Sequence, residues 1–174
     1  SDTKCACIPN YEVRQEFETA IADTSWKEVT SALEHSENLM AHLLNGDEED
    51  VAASVAEVHE QNTSILKYND ENSLACVLSL AFYTARNRYE MIRELPTGKG
   101  FADIVLLPYR HVNAPAIVLE LKWDKDADAA IGQIKRQGYG KSLMHYVGDV
   151  ILVGINYDKQ TKVHSCKIEK IVKK

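Results

Sequence analysis

The sequence lacks the features that mark membrane-spanning and disulfide-rich proteins. Its 174 residues contain no uncharged apolar run of about 18 residues, so we expect neither a transmembrane helix nor a secretory signal peptide. It has only four cysteines, and none has the Cys-x-x-Cys spacing of a zinc site: Cys5, Cys7, Cys76 and Cys166. We therefore expect reduced thiols, a cytoplasmic location and no membrane partner.

Positive charge is scarce in the first half of the chain and concentrated in the second. The net charge is −6, yet residues 1–98 carry 7 Lys and Arg against 18 Asp and Glu, whereas residues 99–174 carry 13 against 8. A basic half can neutralise phosphates and release counterions, which is the usual source of nucleic-acid affinity. The same asymmetry also arises when one half of a chain packs on the other.

The first part of the chain has the hydrophobic spacing of helices. A helix is expected to begin at Pro9, and a second one to span residues 25–45. The acidic run at 47–50 predicts the start of a third helix, because carboxylates complement the helix dipole there, and this interpretation is favoured over a calcium site. Asp70 is expected to cap a fourth helix.

After residue 87 the periodicity changes to that of strands, with one helix among them. Strands are expected at 89–95, 102–107, 116–123, 150–156 and 163–171, and a helix at 126–143. Helices ahead of a mixed sheet, with one crossover helix between the third and fourth strands, predict a layered α/β architecture. We expect a helical N-terminal segment at residues 1–68 and a second domain at residues 69–174.

Three charged residues interrupt two strands that are otherwise almost wholly apolar. They are Asp103 in the second expected strand and Glu120 and Lys122 in the third. A buried carboxylate costs several kcal/mol unless it is paired or binds a metal. Glu120 and Lys122 are two residues apart and project from the same face of their strand, and a hairpin would bring Asp103 across from Leu121 or Lys122.

This arrangement of side chains suits a metal ion. Two carboxylates are hard oxygen ligands of the kind that Mg²⁺ or Mn²⁺ prefers, and the Leu121 carbonyl offers a further oxygen. Lys122 beside the ion could orient or deprotonate a water and stabilise charge on a phosphate. The alternative is a structural salt-bridge cluster of Asp103, Glu120 and Lys122 without a function.

The sequence Gly100-Phe-Ala-Asp103-Ile followed by Glu120-Leu-Lys122 resembles the signature of the PD-(D/E)XK nuclease superfamily, in the form Asp–x16–Glu–x–Lys. Ala102 stands where the name of the motif has Pro. The resemblance implies a restriction-endonuclease-like mixed β-sheet flanked by helices and preceded by a helical segment. It also implies a nuclease that uses Mg²⁺ or Mn²⁺ to hydrolyse phosphodiester bonds in DNA, with Asp103, Glu120 and Lys122 as its catalytic residues.

Two further residues resemble other motifs of the superfamily. Glu71, in Asp70-Glu71-Asn72, resembles the acidic residue that faces the metal from the helix before the sheet, and Gln133 resembles the polar residue on the helix after the Glu-x-Lys strand. The resemblance therefore implies that Glu71 is a metal ligand and that Gln133 is a catalytic residue. Alternatively, Glu71 complements a helix dipole and Gln133 lies on a helix surface.

The resemblance extends to a larger arrangement. Residues 8–174 are similar to the C-terminal part of bacterial proteins in which an AAA-type ATPase precedes the nuclease-like domain. It implies that an upstream ATPase is missing here, and Ser1 in place of a Met fits a piece of a longer protein. We expect DNA contacts from basic residues near the metal site, namely Lys125, Lys135, Arg136 and Lys141.

Two other functions compete with a nuclease. One is a catalytically silent nuclease-fold module that binds nucleic acid or protein and depends on the ATPase. The other is a helical adaptor built on residues 9–87, which would leave the charged trio unexplained. The presence of Asp103, Glu120 and Lys122 together favours the nuclease.

Overall fold

The computed structural model describes residues 24–62, 71–96, 101–137, 146 and 148–172. These residues form helices and strands in the order α1 (Thr24–Asn45), α2 (Glu48–Asn62), α3 (Glu71–Ala81), a 3-10 helix (Tyr83–Asn87), β1 (Tyr89–Pro96), β2 (Phe101–Pro108), β3 (Ala116–Trp123), α4 (Ala127–Gln137), β4 (Val150–Asp158) and β5 (Val163–Ile171).

The expected elements agree with the described ones. Strand and helix bounds differ from the predicted ones by no more than a few residues, while the helix expected from Pro9 and the expected helical residues 138–143 lie outside the described part. α1 ends as predicted, since Gly46 adopts a left-handed φ of 94° that glycine reaches without strain. The Gly46 N–H then donates to the His42 carbonyl oxygen at 2.9 Å.

The five strands form one mixed sheet in the order β1-β2-β3-β4-β5. β3 and β4 are parallel, and the other neighbours are antiparallel. α4 connects the two parallel strands, which require a crossover connection. The predicted α/β fold, a restriction-endonuclease-like mixed sheet flanked by helices and preceded by a helical segment, is therefore confirmed.

The two faces of the sheet bury different sets of side chains. We call the face covered by α2, α3 and residues 35–45 of α1 the back face; its core includes Leu43, Val55, Leu78, Leu119 and Val153. We call the face covered by α4 the front face; its core comprises Val105, Ala116, Val118, Ile131, Ile134, Val150 and Leu152. β3 is buried on both faces. Because side chains alternate along a strand and Ala116 and Val118 belong to the front face, Glu120 and Lys122 belong to it as well.

The chain divides into two compact units, residues 1–34 and 35–174. The described part of the first unit, residues 24–34, is helical. The second unit contains the sheet and the helices packed on it. The expected boundary after residue 68 stays a prediction, since residues 63–70 lie outside the described part. None of the described helices combines the length and apolar composition needed to cross a bilayer.

Candidate active site

Asp103 lies at the start of β2, beside the end of β3. The ladder between these strands pairs Ile104 with Leu119, and continuing it by one residue sets Asp103 opposite Glu120. Asp103 Oδ2 accepts a hydrogen bond from the Leu121 N–H at 2.7 Å. The carboxylate is thus fixed by the main chain of the strand that carries the other charged residues.

Glu120 and Lys122 project from the front face of β3 and contact each other. The Lys122 Nζ donates to Glu120 Oε1 at 3.1 Å and to the Leu121 carbonyl oxygen at 2.8 Å. The side chain of Glu120 is 1% exposed and that of Lys122 is 7% exposed. The prediction that both project from one face is confirmed, and each charge is desolvated and compensated by an opposite charge.

Gln133 reaches the same carboxylate from α4. Its side-chain amide donates to Glu120 Oε1, the oxygen that also accepts from Lys122. Gln133 is half-buried and faces the sheet, so it is not a solvent-facing helix residue. We call Asp103, Glu120, Lys122 and Gln133 the acid–lysine cluster; three elements, β2, β3 and α4, supply its members.

A glycine of β4 lets α4 approach the sheet closely enough for this contact. Gly154 pairs with Glu120 in the parallel ladder. A Cβ at Gly154 would lie 2.3 Å from the Ala127 carbonyl oxygen and 2.9 Å from Ala130 Cβ. Only a residue without a side chain fits there. The sequence reasoning missed this residue, although a glycine inside an apolar strand signals such a close approach.

Asn156 is a second residue that the sequence reasoning missed. It pairs with Lys122 in the ladder and is 3% exposed. Its Oδ1 accepts the Lys125 N–H at 3.0 Å, which fixes the connection between β3 and α4. An amide inside an otherwise apolar strand is the sequence signal, because a buried polar group requires a partner.

The predicted DNA-contact residues occupy different places. The Lys125 side chain is exposed at the end of β3, next to the acid–lysine cluster in sequence. Lys135 lies in the last turn of α4 and forms an ion pair with Glu169 of β5 at 2.7 Å. Arg136 is exposed on the same turn. Lys141 and the side chain of Glu71 lie outside the described part of the chain.

A separate acidic cluster lies where α1 meets α2. His42 Nδ1 is 3.7 Å from Asp47 Oδ2 and 3.7 Å from Asp50 Oδ2. The potential ligand atoms of these residues lie within 4.8 Å of one another. All three side chains are at least one-third exposed, and the acids stand at the start of a helix, where its dipole favours them without a metal.

An aromatic cluster lies on the back face, at the same end of the sheet. Tyr157 packs against Trp123, His59 and His164, with ring centroids 4.7, 5.1 and 4.8 Å apart respectively. Burial, with a smaller contribution from His59, lowers the pKa of His164 to about 4. Burial also lowers the pKa of His59. Both imidazoles are therefore neutral near pH 7.

Residues 69–167, which include every member of the acid–lysine cluster, match the family model of the PD-(D/E)XK nuclease superfamily. No curated protein matches the chain at a significant level. The matched region begins before α3 and ends within β5, so it contains the whole sheet apart from the last residues of its edge strand.

Proposed function

Because the chain belongs to the PD-(D/E)XK nuclease superfamily, we propose that it is a cytoplasmic, metal-dependent nuclease that hydrolyses phosphodiester bonds in DNA. The observation that carries the proposal is the convergence of Asp103, Glu120 and Lys122 at one end of the front face. Core packing alone does not account for charges inserted into apolar strands, since burying them is costly.

The donor set fits a divalent cation with a preference for oxygen. Two carboxylates and a main-chain carbonyl, from Asp103, Glu120 and Leu121, are the ligand types that Mg²⁺ and Mn²⁺ favour. We propose that these groups hold the ion and that Glu71 contributes a further carboxylate. A bound ion of this kind polarises a phosphate oxygen and activates a water molecule.

The protein's own groups prepare the site. Lys122 places a positive charge beside Glu120, where it can orient a water and stabilise negative charge that develops on the phosphate. Gln133 holds Glu120 Oε1 from α4 and so positions the carboxylate. Asp103 is held by the Leu121 N–H, which keeps it from turning away from the cluster. Preorganisation of this kind lowers the cost of reaching the transition state.

The test is cleavage of plasmid DNA and single-stranded DNA by the purified chain in Mg²⁺, in Mn²⁺ and in EDTA. We expect cleavage that EDTA stops and that Asp103→Asn abolishes, since the substitution removes a ligand charge while keeping the acceptor for the Leu121 N–H. Glu90→Gln, an exposed residue of β1, is the matched control and should cleave normally. Metal-independent cleavage, or full activity of Asp103→Asn, would contradict the proposal.

One observation favours a second function. The Lys122 Nζ contacts both Glu120 Oε1 and the Leu121 carbonyl oxygen, so it satisfies two of the proposed ligands without an ion. A closed ion pair of this kind fits a catalytically silent nuclease-fold module that binds nucleic acid or protein as part of an ATPase-linked protein. Calorimetry separates the two functions, because the silent module would bind DNA without binding Mg²⁺ or Mn²⁺.

A further inference from the structure

Two loops are joined at the end of the sheet that holds the acid–lysine cluster. They are the β3–α4 connection, residues 124–126, and the β4–β5 turn, residues 159–162. The Asp124 N–H donates to the Tyr157 carbonyl oxygen at 2.9 Å. Asp124 Oδ1 accepts the Lys159 N–H at 2.7 Å. One aspartate therefore ties both loops into a single structure.

Asp126 in the first loop and Asp158, the last residue of β4, also bond to main-chain donors. Asp126 Oδ1 accepts the Ala129 N–H in the first turn of α4. Asp158 Oδ1 accepts the N–H groups of Gln160 and Thr161 at 2.8 and 2.9 Å. The carboxylates thus turn toward the backbone of their own loops, which fixes the loops.

Three lysine side chains on these two loops are exposed to solvent. Lys125, Lys159 and Lys162 are exposed, and none of them forms an ion pair with another residue of the described part. We call these three lysines the basic rim. Lys162 has a left-handed φ of 58°, a conformation that glycine or asparagine adopts more easily.

The basic rim follows the carboxyl ends of β3 and β4, whereas the last turn of α4 lies toward the amino end of β4. Asn156 pairs with Lys122. Lys159 follows Asn156 by three residues, which span at most roughly 10 Å of extended chain. Lys135, in contrast, is paired with Glu169, whose partner in β4 is Leu152, toward the opposite end of the sheet. The rim therefore places exposed positive charge at the end of the sheet that holds Lys122, and Arg136, on the α4 turn after Gln133, is a further exposed cation.

We propose that the basic rim binds the phosphate backbone of DNA beside the acid–lysine cluster, an inference that rests on the proposed nuclease function. The two carboxylates of the cluster repel phosphates, so an approaching strand needs positive charge within about one Debye length, roughly 10 Å. The rim supplies three positive charges on loops that are already fixed. Binding therefore does not have to order the loops first.

The experiment compares two double variants of the purified chain. Lys159→Gln with Lys162→Gln removes two rim charges, and glutamine at 162 keeps the backbone conformation as strained as before. Arg88→Gln with Arg110→Gln removes two exposed charges at the opposite end of the sheet. Fluorescence anisotropy in EDTA, which prevents metal-dependent cleavage, measures binding of a labelled DNA duplex and its single strand over a range of salt concentrations.

We expect the rim variant to bind at least about tenfold more weakly, with a salt slope shallower by about two units. In Mg²⁺ its KM should rise while kcat stays unchanged, because lost phosphate contacts weaken ground state and transition state alike. The arginine variant should match the unmodified chain. A rim variant with unchanged affinity and slope, or an equal loss in the arginine variant, would overturn the proposal.

The outcomes also separate this inference from the proposed function. Suppose that Asp103→Asn abolishes cleavage but the rim variant binds DNA normally. The proposal that the rim binds DNA would then be wrong, and the proposed nuclease function would stand. Binding that depends on the rim without any cleavage would support the rim and overturn the nuclease activity. If the unmodified chain neither binds nor cleaves DNA, both proposals are wrong.

Discussion

The Lys122 ammonium lies 3.1 Å from Glu120 Oε1 in a place where both side chains are almost fully buried. A pair of this kind gains little stability over apolar residues of the same size, because desolvation offsets the attraction between the charges. Removing one partner is different, since the other charge then stays buried without compensation. The pair therefore makes the fold depend on residues that a purely structural core would not need.

Lys122→Met should destabilise the protein by about 3 kcal/mol, because Glu120 loses its cation in a desolvated site. Adding Glu120→Gln to the same chain should recover most of the loss, since the remaining amide is neutral. Urea denaturation of both variants measures the difference. Equal stability of Lys122→Met and the unmodified chain would show that Glu120 is neutral in the folded state.

Mg²⁺ or Mn²⁺ should raise the melting temperature, because a ligand that binds only the folded state stabilises it. At a hundredfold excess over Kd the gain is about 2.7 kcal/mol. Asp103→Asn should abolish the shift, while Glu90→Gln should keep it. If Asp47→Asn with Asp50→Asn abolishes the shift instead, the ion binds the exposed cluster around His42 and not the acid–lysine cluster.

The elements of the fold were predictable because their signals are local. The strand that holds Glu120 is bounded by Pro115 and by the acidic residues after Trp123, and its apolar residues require a sheet covered on both faces. Likewise, the parallel pair follows from a helix placed between two strands. Glu120 and Lys122 share a face because strand geometry alone decides it.

Other features depend on packing between distant residues and leave weaker signals. The ion pair of Lys135 with Glu169 joins α4 to β5, and no spacing in the sequence indicates it. The same is true of Asp124, which bonds to the Lys159 N–H across two loops. Gly154 and Asn156 carry signals as a glycine and an amide in an apolar strand, but their partners emerge only once α4 is docked.

Gly154→Ala should destabilise the protein by about 2 kcal/mol or more and weaken cleavage. The new methyl group would meet the Ala127 carbonyl oxygen at 2.3 Å, and this backbone atom can move only if α4 moves, which takes Gln133 away from Glu120. Gly132→Ala on α4 is the matched control. Its methyl group would meet only the flexible Arg136 guanidinium at 3.1 Å.

The control should leave cleavage unchanged and stabilise the helix by up to about 1 kcal/mol, because alanine has the higher helix propensity. Thermal unfolding and the plasmid assay measure both variants. A Gly154→Ala protein as stable and active as the unmodified chain would mean that α4 does not depend on this close approach.

Acidification should destabilise the protein through His164. Its pKa is about 4 in the folded state and 6.5 in an unfolded chain, so between these pH values the unfolded chain binds a proton that the folded chain does not. Stability from this group is therefore complete above pH 6.5 and is lost as the pH falls toward 4, by an amount on the order of 3 kcal/mol. His59 on α2 and Tyr157 on β4 both face His164, and His59 lowers the pKa of His164 further.

Urea denaturation at several pH values tests this dependence in the unmodified chain and in His164→Gln, whose side chain is neutral throughout. The variant should lose less stability on acidification, and the difference between the two curves isolates His164 from the carboxylates that titrate in the same range. His111→Gln, an exposed residue of the β2–β3 loop, should follow the unmodified chain. Parallel curves for His164→Gln and the unmodified chain would mean that His164 takes up its proton without leaving the folded structure, and so that the back face admits water at this end of the sheet.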